Sequence, residues 1–329
     1  MDINLVDVSI VIVNYNTAAL LRNCLTSVMQ TEGRVCQLIV VDNGSADGSP
    51  DMVEREFPGV CLVRNRLNSG FAKANNQGIR LAKSKYILLL NSDTIVRPGP
   101  LGIMTGFLDS DAAAAGAGCR LLNEDGTIQA SISDRPGPVF LFFRLLGVSR
   151  LISGDLPRHW LARMPAFLLG KTVHAYLTPY VGGSSPIEVE SMSAACLMLR
   201  KKAVEEVGLL DEGFFMYLED MDYCIRLKQA GWKLYYLPAA AIVHLGGGSS
   251  GGRMRNYSVE SYRALFYFYR KHYSRATVVA ARTIAVMMLC LRWFWNWIGS
   301  IFSKKPIYRQ NALDLRQVIR VCFDSAERI

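Results

Sequence analysis

Three acidic residues within four positions mark one segment of the sequence as a candidate for chemistry. Glu219, Asp220 and Asp222 lie in "FFMYLEDMDYCIRLKQAGW", and Arg226 follows Asp222 by four residues. If a helix begins at Glu219, all three acids occupy its first turn, where the helix dipole favours negative charge. A solvated, capped helix start is one interpretation of this segment, and a site with a catalytic carboxylate is the other.

Potential metal ligands elsewhere in the chain favour the second interpretation. Asn91, Ser92 and Asp93 end the apolar run of "YILLLNSDT", and His244 follows the apolar run "AAAIV". Oxygen ligands with one imidazole can hold Mg²⁺ or Mn²⁺, and a diphosphate would complete the coordination shell. His244 has a second interpretation, because a single histidine beside a strand is often structural.

An alternation of strands and helices in the first 93 residues would position these groups. The predicted helices span residues 18–30 and 71–82, with another opened by Ser49 and Pro50. The predicted strands between them are "VSIVIVNYN", "QLIVVDN", "GVCLVRN" and "YILLLNSD". This order predicts an α/β fold with a mostly parallel sheet flanked by helices, in which ligands bind at the carboxyl ends of the strands. The polar residues at those ends are Asn14, Tyr15, Asn16, Asp42, Asn43, Asn91, Ser92 and Asp93.

The loops after these strands differ from the common phosphate-binding loops. Neither "VNYNTA" nor "VDNGSADGS" matches a dinucleotide fingerprint or a P-loop. A nucleotidyltransferase would require a basic phosphate loop near the first strand, where only Arg22 is present. The segment "NSGFAKANNQGI" supplies Asn68, Gly70 and Asn75 at a predicted helix start, where N–H groups can meet a phosphate; a simple loop with a capped helix is the alternative.

Composition indicates a globular chain with an unevenly distributed charge. The 329 residues are 50% hydrophobic and 20% charged, and the formal net charge is +9. Residues 251–329 contain 14 Lys and Arg against 4 Asp and Glu, which leaves 23 against 24 before them. The eight cysteines form no CxxC pair and lie mostly in apolar stretches, which favours reduced, buried thiols in the cytoplasm. We expect no signal peptide, because no basic segment precedes the first apolar run.

The later part of the chain is less regular. Residues 136–186 are predicted to form an irregular insertion, followed by a helix over 201–207 and a strand pair around "KLYYLPAAAIVHLGG". Two basic, aromatic helical segments are expected after residue 250. One of them has a predicted polar face around Arg282, Arg292 and Asn296 and an apolar face opposite, as in helices that lie in a membrane interface. Packing of this helix on the rest of the protein or on a partner chain is the alternative.

The ordered set of motifs resembles a known family. It is similar to the inverting nucleotide-sugar glycosyltransferases of family 2, which have the GT-A fold, and particularly to their rhamnosyltransferase-like branch. The resemblance covers residues 8–250, through "VSIVIVNYN", "VVDNGSADGS", "NSGFAKANNQGI", "LLLNSDT", "GLLDEGFFMYLEDMDYCIRLKQAGW" and "IVHLGGGSS". It implies a GT-A domain over residues 1–250, with a nucleotide-binding half at 1–93 and an acceptor half at 94–250, and a helical tail at 251–329.

The resemblance also implies roles for individual residues. Asp42 would contact the nucleoside, and the residues that would bind the donor with it are Asn14, Tyr15, Asn16, Thr17, Asn68, Gly70, Asn75, Asn91 and Ser92. "NSD" is similar to the Asp-x-Asp metal motif of the family, with Asn91 in place of the first carboxylate. Asp93 would then be the main metal carboxylate, with His244 as a further ligand.

Asp220 matches the catalytic base of the family, with Glu219 and Asp222 in supporting positions. An acceptor hydroxyl must lose its proton as it attacks the anomeric carbon, and a positioned carboxylate can accept that proton. A divalent cation would offset the charge that grows on the leaving diphosphate.

These observations lead to one main functional hypothesis and one alternative. The main hypothesis is the inverting, Mg²⁺- or Mn²⁺-dependent transfer of a sugar, on resemblance L-rhamnose from dTDP-rhamnose, to a glycan or lipid-linked saccharide. The alternative is an inactive sugar-nucleotide or polysaccharide binding module, which the substitution at Asn91 favours and the retention of Asp93, Asp220 and His244 opposes. We expect a peripheral protein on the cytoplasmic face of the cell membrane that binds an anionic membrane surface and no nucleic acid.

Overall fold

The computed structural model describes residues 8–31, 37–133, 135–137, 141, 184–246, 259–302 and 306–323. These residues separate into two compact units. The first unit contains the described residues up to 135, those from 184 to 215 and those from 219 to 246. The second contains residues 136, 137, 141 and 216–218 with the helices after residue 258. Nearly all of the predicted insertion at 136–186 lies outside the described residues, as does the rest of the glycine run after Gly246.

The first unit is built on a mixed sheet with the order β3-β2-β1-β4-β11-β6-β12-β5. The strands β1 to β4 are mutually parallel, and β11 is antiparallel to both β4 and β6. In addition, β7 pairs with β6, β9 pairs with β12, and β8 and β10 form a small separate sheet. The strands are β1 (Val8–Asn14), β2 (Gln37–Asp42), β3 (Cys61–Arg64), β4 (Tyr86–Asn91), β5 (Thr94–Ile95), β6 (Ala114–Leu122), β7 (Ile128–Gln129), β8 (Ile132–Ser133), β9 (Ile187–Glu188), β10 (Ser191–Met192), β11 (Cys196–Arg200) and β12 (Lys233–His244).

Helices cover both faces of this sheet, as the sequence predicts. The first core cluster joins alternate residues of β1, such as Ile10 and Ile12, to apolar residues of three helices on one face. On the opposite face Gly78 packs against Val11 of β1, and a Cβ atom added at Gly78 would lie 2.3 Å from Val11 Cγ1. The helices of the unit are α1 (Ala18–Thr31), α2 (Ser49–Glu56), α3 (Phe71–Leu81), α4 (Pro100–Ser110), α5 (Lys201–Val207) and α6 (Glu219–Gln229).

Two local predictions need correction. The predicted strand pair around residues 233–246 is one long strand, β12, whose register against β6 shifts between Leu237 and Ala241. Pro238 lies at this shift, and proline cannot donate a ladder hydrogen bond, which accounts for the irregularity. At α2, the N-cap residue is Gly48 with φ +81°, so Ser49 is the first helical residue and not the cap.

The cysteines are free thiols wherever the structure describes them. Five of the seven are buried, whereas Cys61 and Cys290 are exposed. Burial raises the pKa of the Cys24 and Cys224 thiols to about 12, so both stay protonated at neutral pH. The expectation of buried thiols therefore fits most of the described positions.

The second unit contains three helices where the sequence predicted two segments: α7 (Val259–His272), α8 (Arg275–Phe302) and α9 (Pro306–Phe323). Ala281, Ala285 and Leu289 of α8 are fully buried in a cluster with apolar residues of α7 and α9. Among the described helices, α8 alone has the length and apolar composition that a membrane crossing needs.

The polar face predicted for α8 is turned largely inward. The guanidinium of Arg282 lies 5.5 Å from the ring centre of Phe266 on α7, and Asn296 accepts a hydrogen bond from Asn311 on α9. These contacts fit the alternative prediction, in which this helix packs on other parts of the protein. The exposed apolar residues of α8, which we call the outer face, are Val279, Met287, Leu291, Phe294, Trp295, Trp297, Ile301 and Phe302.

We predict that Gly78→Ala destabilises the first unit by about 1–3 kcal/mol, because the methyl group must displace Val11 from a filled core. Gly106→Ala on α4 is the matched control, since nothing lies within 4 Å of its added Cβ. That substitution should be neutral or stabilise by up to about 1 kcal/mol through helix propensity. Urea unfolding curves measure both effects, and equal midpoints for the two variants would contradict the packing argument.

Candidate active site

Hydrogen bonds between buried side chains link the ends of β2, β1 and β4. Asn14 Nδ2 donates to Asp42 Oδ1 at 2.9 Å, and Asn14 Oδ1 accepts from the Thr17 hydroxyl at 2.6 Å. The Thr17 hydroxyl lies 3.0 Å from the Ser92 hydroxyl. Because the register places Asn14 beside Asp42 and Val13 beside Asn91, four predicted donor-binding residues meet at one edge of the sheet.

The loop after β1 is tied to the loop after β2. Asn16, with a left-handed φ of +52°, accepts a hydrogen bond from Ala46 N at 2.7 Å, and Ser45 Oγ accepts one from Asn16 N at 2.9 Å. Tyr15 is half-buried next to it. Arg22, the only basic residue that a phosphate loop here would offer, is bound to Glu56 at 2.6 Å.

Asn43, which the sequence analysis placed at a strand end without giving it a role, organises the loop before α3. Its Nδ2 donates to Asn68 Oδ1 at 2.8 Å and to Gly70 O at 3.1 Å, while its Oδ1 accepts from Ser69 N at 3.0 Å. Gly70 has φ +88°, and a Cβ at this position would lie 2.5 Å from Phe215 O. Glycine is therefore required by both the backbone angle and the close approach.

Two of the N–H groups at the start of α3, which were expected to meet a phosphate, donate to other groups of the protein. Gly70 N donates to Asn68 Oδ1 at 3.0 Å, and Phe71 N donates to Phe215 O at 2.6 Å. Asn75 is buried on α3, and its Nδ2 donates to the carbonyl of Phe71 in its own helix. The interpretation of this segment as a structured loop with a helix start fits these contacts better.

The acidic segment begins α6 at Glu219, as predicted. Asp220 Oδ1 accepts from Met221 N at 2.8 Å, and Asp220 Oδ2 accepts from Ala194 N at 3.2 Å. The neighbouring Ala195 O accepts from Asn91 N at 3.1 Å. One short segment before β11 thus joins the predicted base to the end of β4.

The three acids of α6 have three different environments. Glu219 is buried, its Oε2 has no partner among the described residues, and burial together with the charge of Asp220 holds its pKa well above the usual range. Burial also raises the pKa of Asp220, although backbone N–H groups oppose the shift. Because two adjacent carboxylates resist double ionisation, we assign the proton to Glu219 and the charge to Asp220.

Asp222 serves the attachment of the helix. It is fully buried and accepts from Arg226 Nε at 2.9 Å, while Arg226 also donates to Leu209 O at 2.7 Å. The guanidinium lies 4.9 Å from the ring centre of Tyr223. Asp222 therefore fixes α6, which carries the predicted base, to the preceding loop.

The predicted metal ligands come together between β4 and β12. His244 Nε2 lies 3.2 Å from Asp93 Oδ1 and 3.3 Å from Asn91 Nδ2. The pairing of His244 with Thr94 places them there. Octahedral ligands at about 2.1 Å from one ion lie about 3 Å apart when they are neighbours, so the carboxylate and imidazole fit a small divalent cation. Within the described residues, no three His, Cys, Asp or Glu side chains gather at this place or at any other.

Left-handed backbone at residues other than glycine is confined, within the described chain, to Asn16, Tyr217 and Leu218. Asn16 lies in the loop after β1, and the other two immediately precede Glu219. Such conformations cost of order 1 kcal/mol or more and concentrate at functional sites. The sequence gives no sign of them at Tyr217 and Leu218.

Asn76 is a second residue that the sequence analysis missed. It is buried on α3, donates to Leu210 O at 2.8 Å and to Glu212 Oε1 at 3.0 Å, and accepts from Leu210 N at 3.0 Å. It therefore holds the chain segment that leads towards α6. The only sign of this contact in the sequence is that a second asparagine follows Asn75 within the predicted helix, in "KANNQGI".

Comparisons with known proteins agree on the class. The model of glycosyl transferase family 2 matches residues 9–208, and that of glycosyl transferase family group 2 matches residues 158–313. The Mycobacterium tuberculosis N-acetylglucosaminyl-diphospho-decaprenol L-rhamnosyltransferase is 25% identical over 277 residues, 80% of this chain and 84% of that protein. The Escherichia coli rhamnosyltransferase WbbL is 27% identical over 182 residues, 53% of this chain and 60% of that protein.

A solved structure shows the same fold. The mannosyltransferase PcManGT from Pyrobaculum calidifontis, in complex with GDP-Man and Mn²⁺, superimposes with a TM-score of 0.52 and 14% identity over 96% of this chain and 86% of that chain. The protein is a glycosyltransferase with a GT-A fold, a mixed and mostly parallel sheet flanked by helices. The chain belongs to glycosyl transferase family 2, and within it resembles the rhamnosyltransferases.

We predict that Asn76→Leu lowers the free energy of unfolding by about 1–3 kcal/mol, because the backbone N–H and C=O of Leu210 lose their buried partner. Arg80→Ala is the control, since Arg80 contacts the same Glu212 from an exposed position at 3.3 Å. Exposed ion pairs contribute about 0–1 kcal/mol, so this variant should stay close to wild type. A larger loss from Arg80→Ala than from Asn76→Leu in urea unfolding would refute the assignment.

Proposed function

We propose that the protein transfers L-rhamnose from dTDP-rhamnose, with inversion at the anomeric carbon, to a hydroxyl of a lipid-linked saccharide in cell-surface polysaccharide synthesis. The observation that carries the proposal is Asp220, a carboxylate of raised pKa held at the start of α6 and joined through residues 194 and 195 to the end of β4. The names of the two rhamnosyltransferase relatives support the sugar. The name of the mycobacterial relative supports a saccharide linked to a polyprenyl diphosphate.

Asp220 acts in this proposal as the general base. Its Oδ atoms are fixed by two backbone N–H groups, which leaves the remaining lone pairs for the proton of the acceptor hydroxyl. A raised pKa makes the carboxylate a stronger base at neutral pH than an exposed aspartate. Inversion needs one such base and no protein nucleophile, which agrees with a neutral Glu219 and an ion-paired Asp222.

The polar edge of the sheet would hold the donor. Asp42 and Asn14 would receive the nucleoside, and Ser92 with Asn91 would lie near the diphosphate. Asp93 and His244 would bind Mg²⁺ or Mn²⁺, which when present offsets negative charge on the leaving diphosphate. The Mn²⁺ in the solved relative with the same fold supports the choice of cation.

We further propose that the second unit attaches the enzyme to the cytoplasmic face of the cell membrane. The outer face of α8 runs from Val279 to Phe302, over about 35 Å at 1.5 Å per residue. No charged residue of α8 is exposed within this range. On α9, Arg309, Arg316 and Arg320 are exposed and fall within about 40° of one another around the helix. An apolar aromatic face with a nearby basic stripe is the composition of a helix unit that lies on anionic lipid.

We predict that Asp220→Asn lowers turnover by about 10²- to 10⁴-fold while donor binding stays nearly unchanged, because the amide keeps the shape but cannot accept a proton. Wild-type turnover should also fall as the pH drops through the raised pKa of Asp220. Release of the nucleoside diphosphate from dTDP-rhamnose measures turnover, and calorimetry measures donor binding. Glu205→Gln, an exposed acid on α5, serves as the control. Turnover above about a tenth of wild type in Asp220→Asn would place the base elsewhere.

We predict that the double substitution L291E/W295E reduces co-sedimentation with anionic phospholipid vesicles by at least about tenfold, since burying each apolar side chain contributes about 1.5–3 kcal/mol. The control Q310E/Q317E adds the same two negative charges on exposed positions of α9. It should weaken binding less, and mainly at low salt. Equal loss in the two variants would show that charge and not the outer face of α8 drives attachment.

A further inference from the structure

A chain of hydrogen bonds with a single direction ends at His244. Asp125 Oδ1 accepts from the Thr127 hydroxyl at 2.6 Å and from Thr127 N at 2.9 Å, and these bonds lower the pKa of Asp125. An ionised carboxylate can only accept. The hydroxyl proton of Thr127 is therefore committed to Asp125, which leaves its oxygen as an acceptor for the next residue.

The next two amides continue in the same direction. Asn123 Nδ2 donates to Thr127 Oγ1 at 2.7 Å, so Asn123 Oδ1 faces Gln129. Gln129 Nε2 donates to Asn123 Oδ1 at 2.6 Å and to His244 O at 2.7 Å. With its nitrogen facing two acceptors, the side chain of Gln129 must turn its oxygen towards the imidazole.

Gln129 Oε1 lies 2.8 Å from His244 Nδ1. Because an amide oxygen can only accept, Nδ1 carries a proton, and neutral His244 has its lone pair on Nε2. Nε2 is the atom 3.2 Å from Asp93 Oδ1. Asn91 Nδ2, an amide nitrogen that can only donate, lies 3.3 Å from Nε2, which agrees with a lone pair on Nε2.

We infer that Gln129 is a positioning residue for the metal site: it fixes the tautomer and ring orientation of His244 so that Nε2 and Asp93 can bind one divalent cation. This inference rests on the metal dependence in the proposed function. The hairpin from Asn123 to Gln129 supplies the rigid support, with Asn123 N donating to Thr127 O at 2.8 Å and Gly126 at φ +84°. Partners that orient a ligating histidine in this way typically change metal affinity 10- to 100-fold.

The test measures Mn²⁺ affinity and the His244 tautomer without turnover. Mn²⁺ binding to the full chain, with dTDP present, is followed by electron paramagnetic resonance of the free ion. The tautomer is read from ¹⁵N shifts of labelled histidine, which is practical because the chain has four histidines. A His244→Gln variant identifies the signal.

Gln129→Leu should raise the Mn²⁺ dissociation constant about 10- to 100-fold and shift His244 away from the pure Nδ1–H form. Thr127→Val interrupts the series of hydrogen bonds at an exposed turn residue, where a substitution disturbs no buried packing. It should change both readouts in the same direction by a smaller factor. Gln77→Leu is the matched control, because Gln77 is also half-buried and bound to an asparagine, Asn65, yet lies on α3. It should leave both readouts at wild-type values.

The outcomes separate the inference from the proposed function. If wild type binds Mn²⁺ and Asp93→Asn weakens binding, but Gln129→Leu and Thr127→Val retain wild-type affinity and tautomer, the inference is overturned and the metal site stands. If Gln129→Leu does not fold, the Mn²⁺ affinity and the His244 tautomer of Thr127→Val decide the inference by the same criteria. If wild type binds no Mn²⁺, the metal dependence and the inference that rests on it both fail, whereas the assignment of Asp220 as base is untouched.

Discussion

The buried amide of Asn14 joins the parallel strands on which the rest of the site is arranged. A buried amide must have hydrogen-bond partners, and Asn14 finds them in Asp42, Ser45 and Thr17. A one-residue slip of β1 would turn this side chain to the other face of the sheet and leave all of them unpaired. The same register carries Asn91 to the level at which its N–H meets Ala195, and so fixes the segment that holds Asp220. Donor-side and base-side groups thus depend on one alignment of β1 between β2 and β4.

The sequence was sufficient to predict a residue's position where that position follows from the strand, helix or motif to which the residue belongs. The strands that end at Asn14, Asp42 and Asn91, the acidic first turn of α6 and the meeting of Asp93 with His244 were all predictable, because periodicity and motif order determine them. Gln129 and Asn76 were not, because their partners lie 115 and 134 residues away and neither residue type signals its contact. For α8, an angular plot identified two faces correctly but could not tell which one packs. Arg282 was assigned to the polar face and lies over Phe266, which the plot could not indicate because it contains no information about neighbouring helices.

The acids of α6 illustrate how environment divides one residue type into separate functions. Burial and the charge of Asp220 keep Glu219 protonated, two N–H groups keep Asp220 oriented and charged, and Arg226 neutralises Asp222. Only one of the three is left with both negative charge and free lone pairs. A first helical turn rich in acid therefore presents a single accessible charged carboxylate, the one proposed as the base, and the helix dipole stabilises that charge without supplying a competing proton acceptor.

Helix α3 has a consequence for exchanging the segment ahead of α6 between related proteins. It contacts the segment ahead of α6 at two points, through Asn76 at Leu210 and through Gly70 and Phe71 at the carbonyl of Phe215. These contacts use backbone atoms of the segment, and Asn76 also donates to the Glu212 side chain, while Leu210 and Phe214 are buried. Loops grafted between family members at 209–215 must therefore keep the length and backbone trace that match α3, together with the side chains of Leu210, Glu212 and Phe214. A chimera that imports a loop of different length must import the donor's own α3 with it.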